Sequence, residues 1–165
     1  MTAVEVLRAL TGRGQTLAVA ESLTGGLLAA TIVDVPGASL AFRGGLVVYA
    51  TELKHTLAGV PRELLDTRGP VDPDVALALA AGARHACGAD WGLATTGIAG
   101  PDPQHGVPVG TVYVACAGPH HAVRELHLSG DRPAVRHGAV TAALDLLAVY
   151  LAGQGVDGPR TGYRW

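Results

Sequence analysis

Cysteine is scarce in this chain of 165 residues: Cys87 and Cys116 lie far apart in apolar surroundings. Two such residues build no disulfide framework, so reduced buried thiols in a cytoplasmic protein are expected. Excess charge of one sign is also missing. A formal net charge of −2 provides no broad basic field, which argues against a nucleic-acid partner. No uninterrupted run of about 18 apolar residues could span a bilayer, and no charged-then-apolar leader opens the chain, so neither a membrane partner nor export is expected. C-x-x-C and H-x-x-x-H patterns are absent, and neither a metal nor another cofactor is expected. Lysine is the last scarcity: of twelve basic residues, Lys54 alone is not arginine.

What is present describes a folded domain. Hydrophobic residues make up 48% and charged residues 16% of the chain, a balance that fits a compact globular unit with a full core. A single domain over residues 1–165 is expected, its core at about 4–153 and a polar tail at 154–165. Assembly into a homo-oligomer is expected as well.

Periodicity divides the chain into helices and strands. Val4, Leu7 and Leu10 have helical spacing within Thr2 to Arg13, which the Gly12/Gly14 punctuation ends. Thr16 to Ala20 reads as a buried strand, followed by a helix over Thr24 to Val35. Phe42 to Ala50 has strand composition, and Thr51 to Ala58 a short helix with Thr51 as its cap. Asp72 caps a long helix over Pro73 to Cys87, and Trp91 to Thr95 is a further buried strand. Gly110 to Ala117 and Ala122 to Leu128 form a hairpin, and the last helix begins near Pro133 and runs through Leu151. Alternating elements with a late hairpin predict an α/β fold, a three-layer α/β/α sandwich whose mixed sheet has about five strands, one of them antiparallel.

The candidate chemistry gathers at the predicted strand ends. Glu21 and Ser22 stand where the first buried strand turns into a helix, the crevice in which open α/β sheets bind ligands. Ser22 is a candidate nucleophile, and the Thr24-Gly25-Gly26 backbone a source of N–H groups for an oxyanion; a plain helix cap is the alternative for Ser22. The histidines, His105 among them, have no spaced carboxylate to orient them and read as surface residues. Lys54, one turn into its helix, is the better base, since burial can bring an ammonium from about 10.4 towards neutrality whereas arginine does not deprotonate. Tyr49, at the strand end, can reach the same crevice. The glycine- and proline-rich stretch from Thr95 to Thr111 is long enough to be a binding loop, with Thr96, Gly97 and Gly100 near the sheet edge. Arg132 and Arg136, four apart near the start of the last helix, could hold an anion. Lys54, Tyr49, the loop and the arginine pair each have a plainer reading as ordinary surface or packing residues.

Taken together and in order, "AESLTGG", "VVYATELKHTLAGV", Gly69-Pro70-Val71, "TTGIAGPDP", "PVGTVYVA" and "SGDRPAVR" resemble the CinA C-terminal-domain family, the bacterial nicotinamide-nucleotide amidohydrolases, over roughly residues 4 to 153. The resemblance implies an α/β/α fold and hydrolysis of nicotinamide mononucleotide to nicotinate mononucleotide and ammonia, in pyridine-nucleotide salvage. It also implies a Ser–Lys mechanism with Ser22 as nucleophile, Lys54 as base, Thr96 with nearby backbone N–H groups steadying the oxyanion, Tyr49 beside them and Arg136 on the last helix. Leu23 stands where the family motif often has cysteine, which removes that thiol from consideration. Some relatives carry an additional N-terminal nucleotide-processing domain, whose activity is not expected here. Two other readings remain open at this point: a catalytically weak nucleotide-binding module, and a Ser–Lys amidase acting on another small amide.

Overall fold

The structure is a computed structural model, and it describes residues 2–153; the tail expected at 154–165 lies outside the described residues. Five strands form one sheet in the order β2-β1-β3-β4-β5: β1 Leu17–Glu21, β2 Phe42–Val47, β3 Trp91–Gly97, β4 Thr111–Ala117 and β5 His121–His127. β2, β1 and β3 run parallel, β4 is antiparallel to β3, and β5 is antiparallel to β4. β4 is therefore the single reversed strand, as the hairpin composition implied. Among the described residues the helices are α1 Ala3–Gly12, α2 Leu27–Val33, α3 Thr51–Thr56, α4 Arg62–Arg68, α5 Pro73–Cys87 and α6 Arg132–Leu151, with a short 3-10 turn at Ala38–Leu40.

Strand alternation builds the two faces. Leu17, Val19, Trp91, Leu93, Val112, Val114 and Cys116 point into one core with α1, α2 and α6, while Ala18, Ala20, Ala94, Ala115 and Ala117 point into the other with α5. Large side chains thus fill one layer and small ones line its opposite. The three central strands are buried almost throughout, while the edge strand β2 alternates and β5 is partly exposed with no fully buried residue, as expected when helices cover both faces of a largely parallel sheet.

Local signals set several element ends. Thr2 and Glu5 form a reciprocal capping box on α1. Asp72 accepts from the amides of Asp74 and Val75 ahead of Pro73, and left-handed Gly88 closes α5. Asp131 caps α6 through the Ala134 amide. By length and a mean hydropathy of 1.3, α6 qualifies as a membrane span. Here it is a core helix, with Val135, Ala139, Ala143 and Leu147 buried against the sheet layer.

Three expectations need correction. α2 begins at Leu27 rather than Thr24, because Gly25 and Gly26 have φ of +57° and +100°, outside the right-handed helical region. Thr51 is the first residue of α3, not its cap; Ala50 occupies the cap position and makes no side-chain bond. The helix α4 was not expected, although Pro61 precedes it, and Leu65 is buried in the α5 layer.

The small-residue layer makes a strong demand at Gly82 of α5. A Cβ built there would lie 1.8 Å from the Ala58 carbonyl oxygen, just beyond α3. Alanine in place of a mid-helix glycine ordinarily adds about 1 kcal/mol of helix stability, but overpacking costs about 1–3 kcal/mol, and this collision is with backbone. Gly82→Ala is therefore expected to lower the urea midpoint; a raised midpoint would show that α3 has room to retreat from α5.

Candidate active site

β1 lies between β2 and β3, and the chain leaves its carbonyl end towards α2 on one face, later returning through α3 to α5 on the other. Such a reversal of strand order opens a crevice at the carbonyl ends of the parallel strands. A cleft of about 150 Å³ occupies it, lined by Ser22, Leu23, Tyr49, Thr51, Lys54, Pro70, Val71, residues 96–100, Gln104, His105 and Arg132.

At its base stand Ser22 and Lys54. Ser22 directly follows β1, is 8% exposed, and its amide donates to the Thr95 carbonyl at the end of β3. Lys54 is 1% exposed on the first turn of α3. Its Nζ donates to Ser22 Oγ at 3.1 Å, to the Val48 carbonyl at 2.8 Å and to the Tyr49 carbonyl at 3.3 Å. Three acceptors match the three protons of an ammonium. Loss of one proton leaves two N–H bonds on the carbonyls and a lone pair aimed at the serine hydroxyl. Burial lowers the Lys54 pKa from its ordinary 10.5 to about 8, against a small opposing pull from Glu52. The one lysine of the chain is thus a buried amine bonded to the candidate nucleophile.

Parity along the strands sorts the neighbouring side chains. Thr96 faces the α5 side and donates its hydroxyl proton to the Pro70 carbonyl at 2.7 Å; the expected donation from Thr96 to an oxyanion is not the bond it makes. Thr95 faces the other side, where its hydroxyl meets that of Thr24 at 2.7 Å, both fully buried. Glu21, also fully buried, accepts from the amides of Gly26, Leu28 and Ala29 at 2.8–3.1 Å. Its carboxylate caps α2, a role in which Ser22 was the alternative candidate, and it is not presented to the cleft.

The two arginines of α6 reach different places. Arg132 donates to the Gly100 carbonyl at 2.6 Å and to the Tyr49 hydroxyl at 3.0 Å, joining α6, the loop after β3 and the β2–α3 connection across the cleft mouth. Arg136 donates to the carbonyls of Leu23 at 3.0 Å and Thr24 at 2.8 Å. Of the residues singled out in the sequence, Ser22, Tyr49, Lys54, Thr96, Gly97, Gly100 and Arg132 line the cleft, whereas the side chains of Glu21, Thr24 and Arg136 and the residues Gly25 and Gly26 do not. Pro70, Gln104 and His105 are additional lining residues. The signal for Pro70 was the Gly69-Pro70-Val71 motif, and for the other two the length of the loop, which carries His105 at φ +53° in a short turn closed by the Gln104–Val107 bridge. Cys116 takes no part: burial pushes its thiol up to about 12.

Comparison with known proteins decides the family. The family model of the CinA C-terminal domain matches residues 1–151. The chain belongs to the CinA C-terminal domain family. It is 56% identical over 149 residues to a CinA-like protein of Frankia casuarinae, covering 90% of this chain and 34% of the relative. A CinA-like protein of Geobacter sulfurreducens is 50% identical over 144 residues, with 86% of this chain and 35% of the relative covered. The chain thus spans about a third of the length of these curated relatives. A crystal structure of a competence-damaged protein (CinA) superfamily protein from Klebsiella pneumoniae superposes with a TM-score of 0.88 at 32% identity, over 92% of this chain and 96% of that one. The α/β fold is that of the CinA superfamily.

Proton linkage at Lys54 has a definite sign. Its folded pKa of about 8 lies below the ordinary 10.5, so between these values the unfolded chain binds a proton that the folded one lacks. Stability contributed by this site must rise with pH through that window, because stability rises wherever the unfolded state binds more protons. Denaturant titrations of the wild type and Lys54→Met from pH 7 to 10.5 are expected to diverge in favour of the wild type as pH increases. A pH-independent difference between them would mean that Lys54 titrates normally.

Proposed function

We propose that this CinA-family domain is an amidohydrolase, and that it converts nicotinamide mononucleotide to nicotinate mononucleotide and ammonia through a Ser22–Lys54 pair. The carrying observation is the 3.1 Å bond between Ser22 Oγ and Lys54 Nζ, with the amine buried and its pKa near 8. A nucleophilic serine needs a neighbouring base, and a lysine whose pKa burial has lowered towards neutrality can serve. The family resemblance supports the choice of amide; the names of the relatives specify no activity.

The chemistry balances with these groups. Ser22 Oγ attacks the carboxamide carbon as its proton moves to Lys54 Nζ, and the carbonyl π pair becomes the oxyanion. When the C–N bond breaks, its electron pair stays with nitrogen, the Lys54 ammonium supplies the proton, and ammonia leaves an ester on Ser22. Water then attacks the ester, giving a proton to Lys54, which returns one to Ser22 as the acid departs. The Val48 and Tyr49 carbonyls hold the amine throughout, much as a carboxylate orients the histidine of a serine triad.

Cleft size divides the substrate. About 150 Å³ is below the roughly 300–1,000 Å³ of pockets that enclose a drug-sized ligand, so the amide-bearing ring fits inside and the ribose phosphate extends through the mouth. Arg132, exposed at that mouth, is the cation in this reading that meets the phosphate. The same small cleft favours the second reading, a Ser–Lys amidase acting on another small amide. Pyridine-nucleotide salvage in the cytoplasm belongs to the same proposal.

Ammonia release from nicotinamide mononucleotide, nicotinamide riboside, nicotinamide and glutamine tests the substrate. The nucleotide is expected to be preferred, and preference for another amide would select the second reading. Ser22→Ala and Lys54→Arg are each expected to reduce turnover by orders of magnitude, because guanidinium cannot accept the proton. For the free wild-type enzyme, kcat/KM should rise with pH through about 8, as the neutral amine is the active form. Near-wild-type turnover in Lys54→Arg would sink the Ser–Lys mechanism. Arg132→Ala is expected to raise KM for the nucleotide more than for the riboside, which lacks the phosphate; equal changes would move the anion contact elsewhere.

A further inference from the structure

Arg136 has no place in the cleft, yet it is tied to the turn that follows the nucleophile, and the direction of its bonds has a stereochemical result. A trans peptide points its C=O and N–H to opposite sides. By holding the Leu23 carbonyl, Arg136 turns the Thr24 amide away from α6. By holding the Thr24 carbonyl as well, it fixes the next peptide, whose Gly25 amide donates to the Ser22 carbonyl at 3.1 Å. That bond in turn directs the Leu23 amide away from the inside of the turn.

The amides of this segment can be followed one by one. Ser22 donates to Thr95, Gly25 to Ser22 and Leu27 to Thr24, while Gly26, Leu28 and Ala29 donate to the Glu21 carboxylate. Among the described residues, the amides of Leu23 and Thr24 have no such acceptor. These are the first two N–H groups after the nucleophile, and Leu23 lines the cleft. Gly25 at φ +57° permits the turn, a backbone conformation that favours glycine.

We propose that Arg136 is a positioning residue: it clamps the Leu23 and Thr24 carbonyls so that the Leu23 and Thr24 amides form the oxyanion hole for the adduct on Ser22. Glu21 secures the same turn from its other end through the α2 amides. The inference rests on the Ser22 chemistry proposed above and replaces the role of anion ligand that the position of Arg136 in the sequence implied. A fixed pair of N–H groups stabilises charge that develops only after attack, so its loss is felt in kcat rather than in substrate binding.

Two readouts separate this from a substrate contact or a general packing role. Arg136→Ala is expected to lower kcat for nicotinamide mononucleotide about 10²-fold, the usual cost of impairing an oxyanion donor, with KM changed less than about threefold. Guanidinium chloride at millimolar concentration should restore part of that loss, and Arg136→Lys should be intermediate. The second readout is pyridine-3-boronic acid, whose boron accepts an Oγ electron pair while the serine proton moves to Lys54, giving a tetrahedral adduct without amide hydrolysis. Its affinity should fall in Arg136→Ala in proportion to kcat. A raised KM with kcat retained, or unchanged boronate affinity, overturns the proposal. If the wild type releases no ammonia from the nucleotide, the substrate assignment fails, and the boronate comparison still decides the clamp. If Arg136→Ala does not fold, the same two measurements on Arg136→Lys decide it, with unchanged values overturning the proposal.

Discussion

The Lys54 ammonium cannot be solvated where it stands, and the carbonyl end of the sheet is arranged around that constraint. Its three oxygen partners come from the residue after β1 and from the connection between β2 and α3. Losing any of them would leave a buried donor unmatched, a cost of about 1–3 kcal/mol and more for a charge. α3 must therefore be held close to β1, and the Ala58 carbonyl resting on Gly82 of α5 supplies the backing. The alanine-rich face of the sheet lets α5 approach closely enough to provide it.

The opposite layer is built differently because it carries a different task. There Leu17, Val19, Leu93, Val114 and Leu147 provide a bulky core, on which α2 and α6 rest, and polar atoms are confined to the strand ends. The turn from Ser22 to Gly26 lies at that margin. A buried carboxylate takes the amides beyond it, and a guanidinium takes the carbonyls within it. Backbone polarity that would be costly if unpaired in the interior is thereby used to hold a loop still.

The fold was legible where short-range chemistry decides it. Asp72-Pro73 and Gly88 place both ends of α5, and alternation separates edge strands from central ones. Ser22 and Lys54 were legible as well, one from its position after a buried strand and the other from its rarity. The remainder depends on tertiary partners. Arg132 and Arg136 share a helix face and look equivalent in sequence, but one finds the Gly100 carbonyl and the Tyr49 hydroxyl and the other finds the Leu23–Thr24 backbone. Thr96 looked like a donor to substrate until Pro70 arrived as its acceptor from 26 residues away. His105 depends on a left-handed loop conformation that no periodic pattern signals. The late start of α2 was readable in principle, since two consecutive glycines favour a turn over a helix.

Glu21 and Ser22 are neighbours in sequence, but strand alternation sends their side chains to opposite faces of the sheet, the carboxylate to α2 and the hydroxyl to Lys54. The sheet acts as an electrostatic partition. Were both groups on one side, the carboxylate would pair with the ammonium and make it keep its proton to higher pH. The two-residue period of a strand thus insulates the Glu21 carboxylate from the buried amine that bonds the very next residue. A single insertion or deletion within β1 would exchange the faces and remove that insulation, even if every side chain at the site were retained.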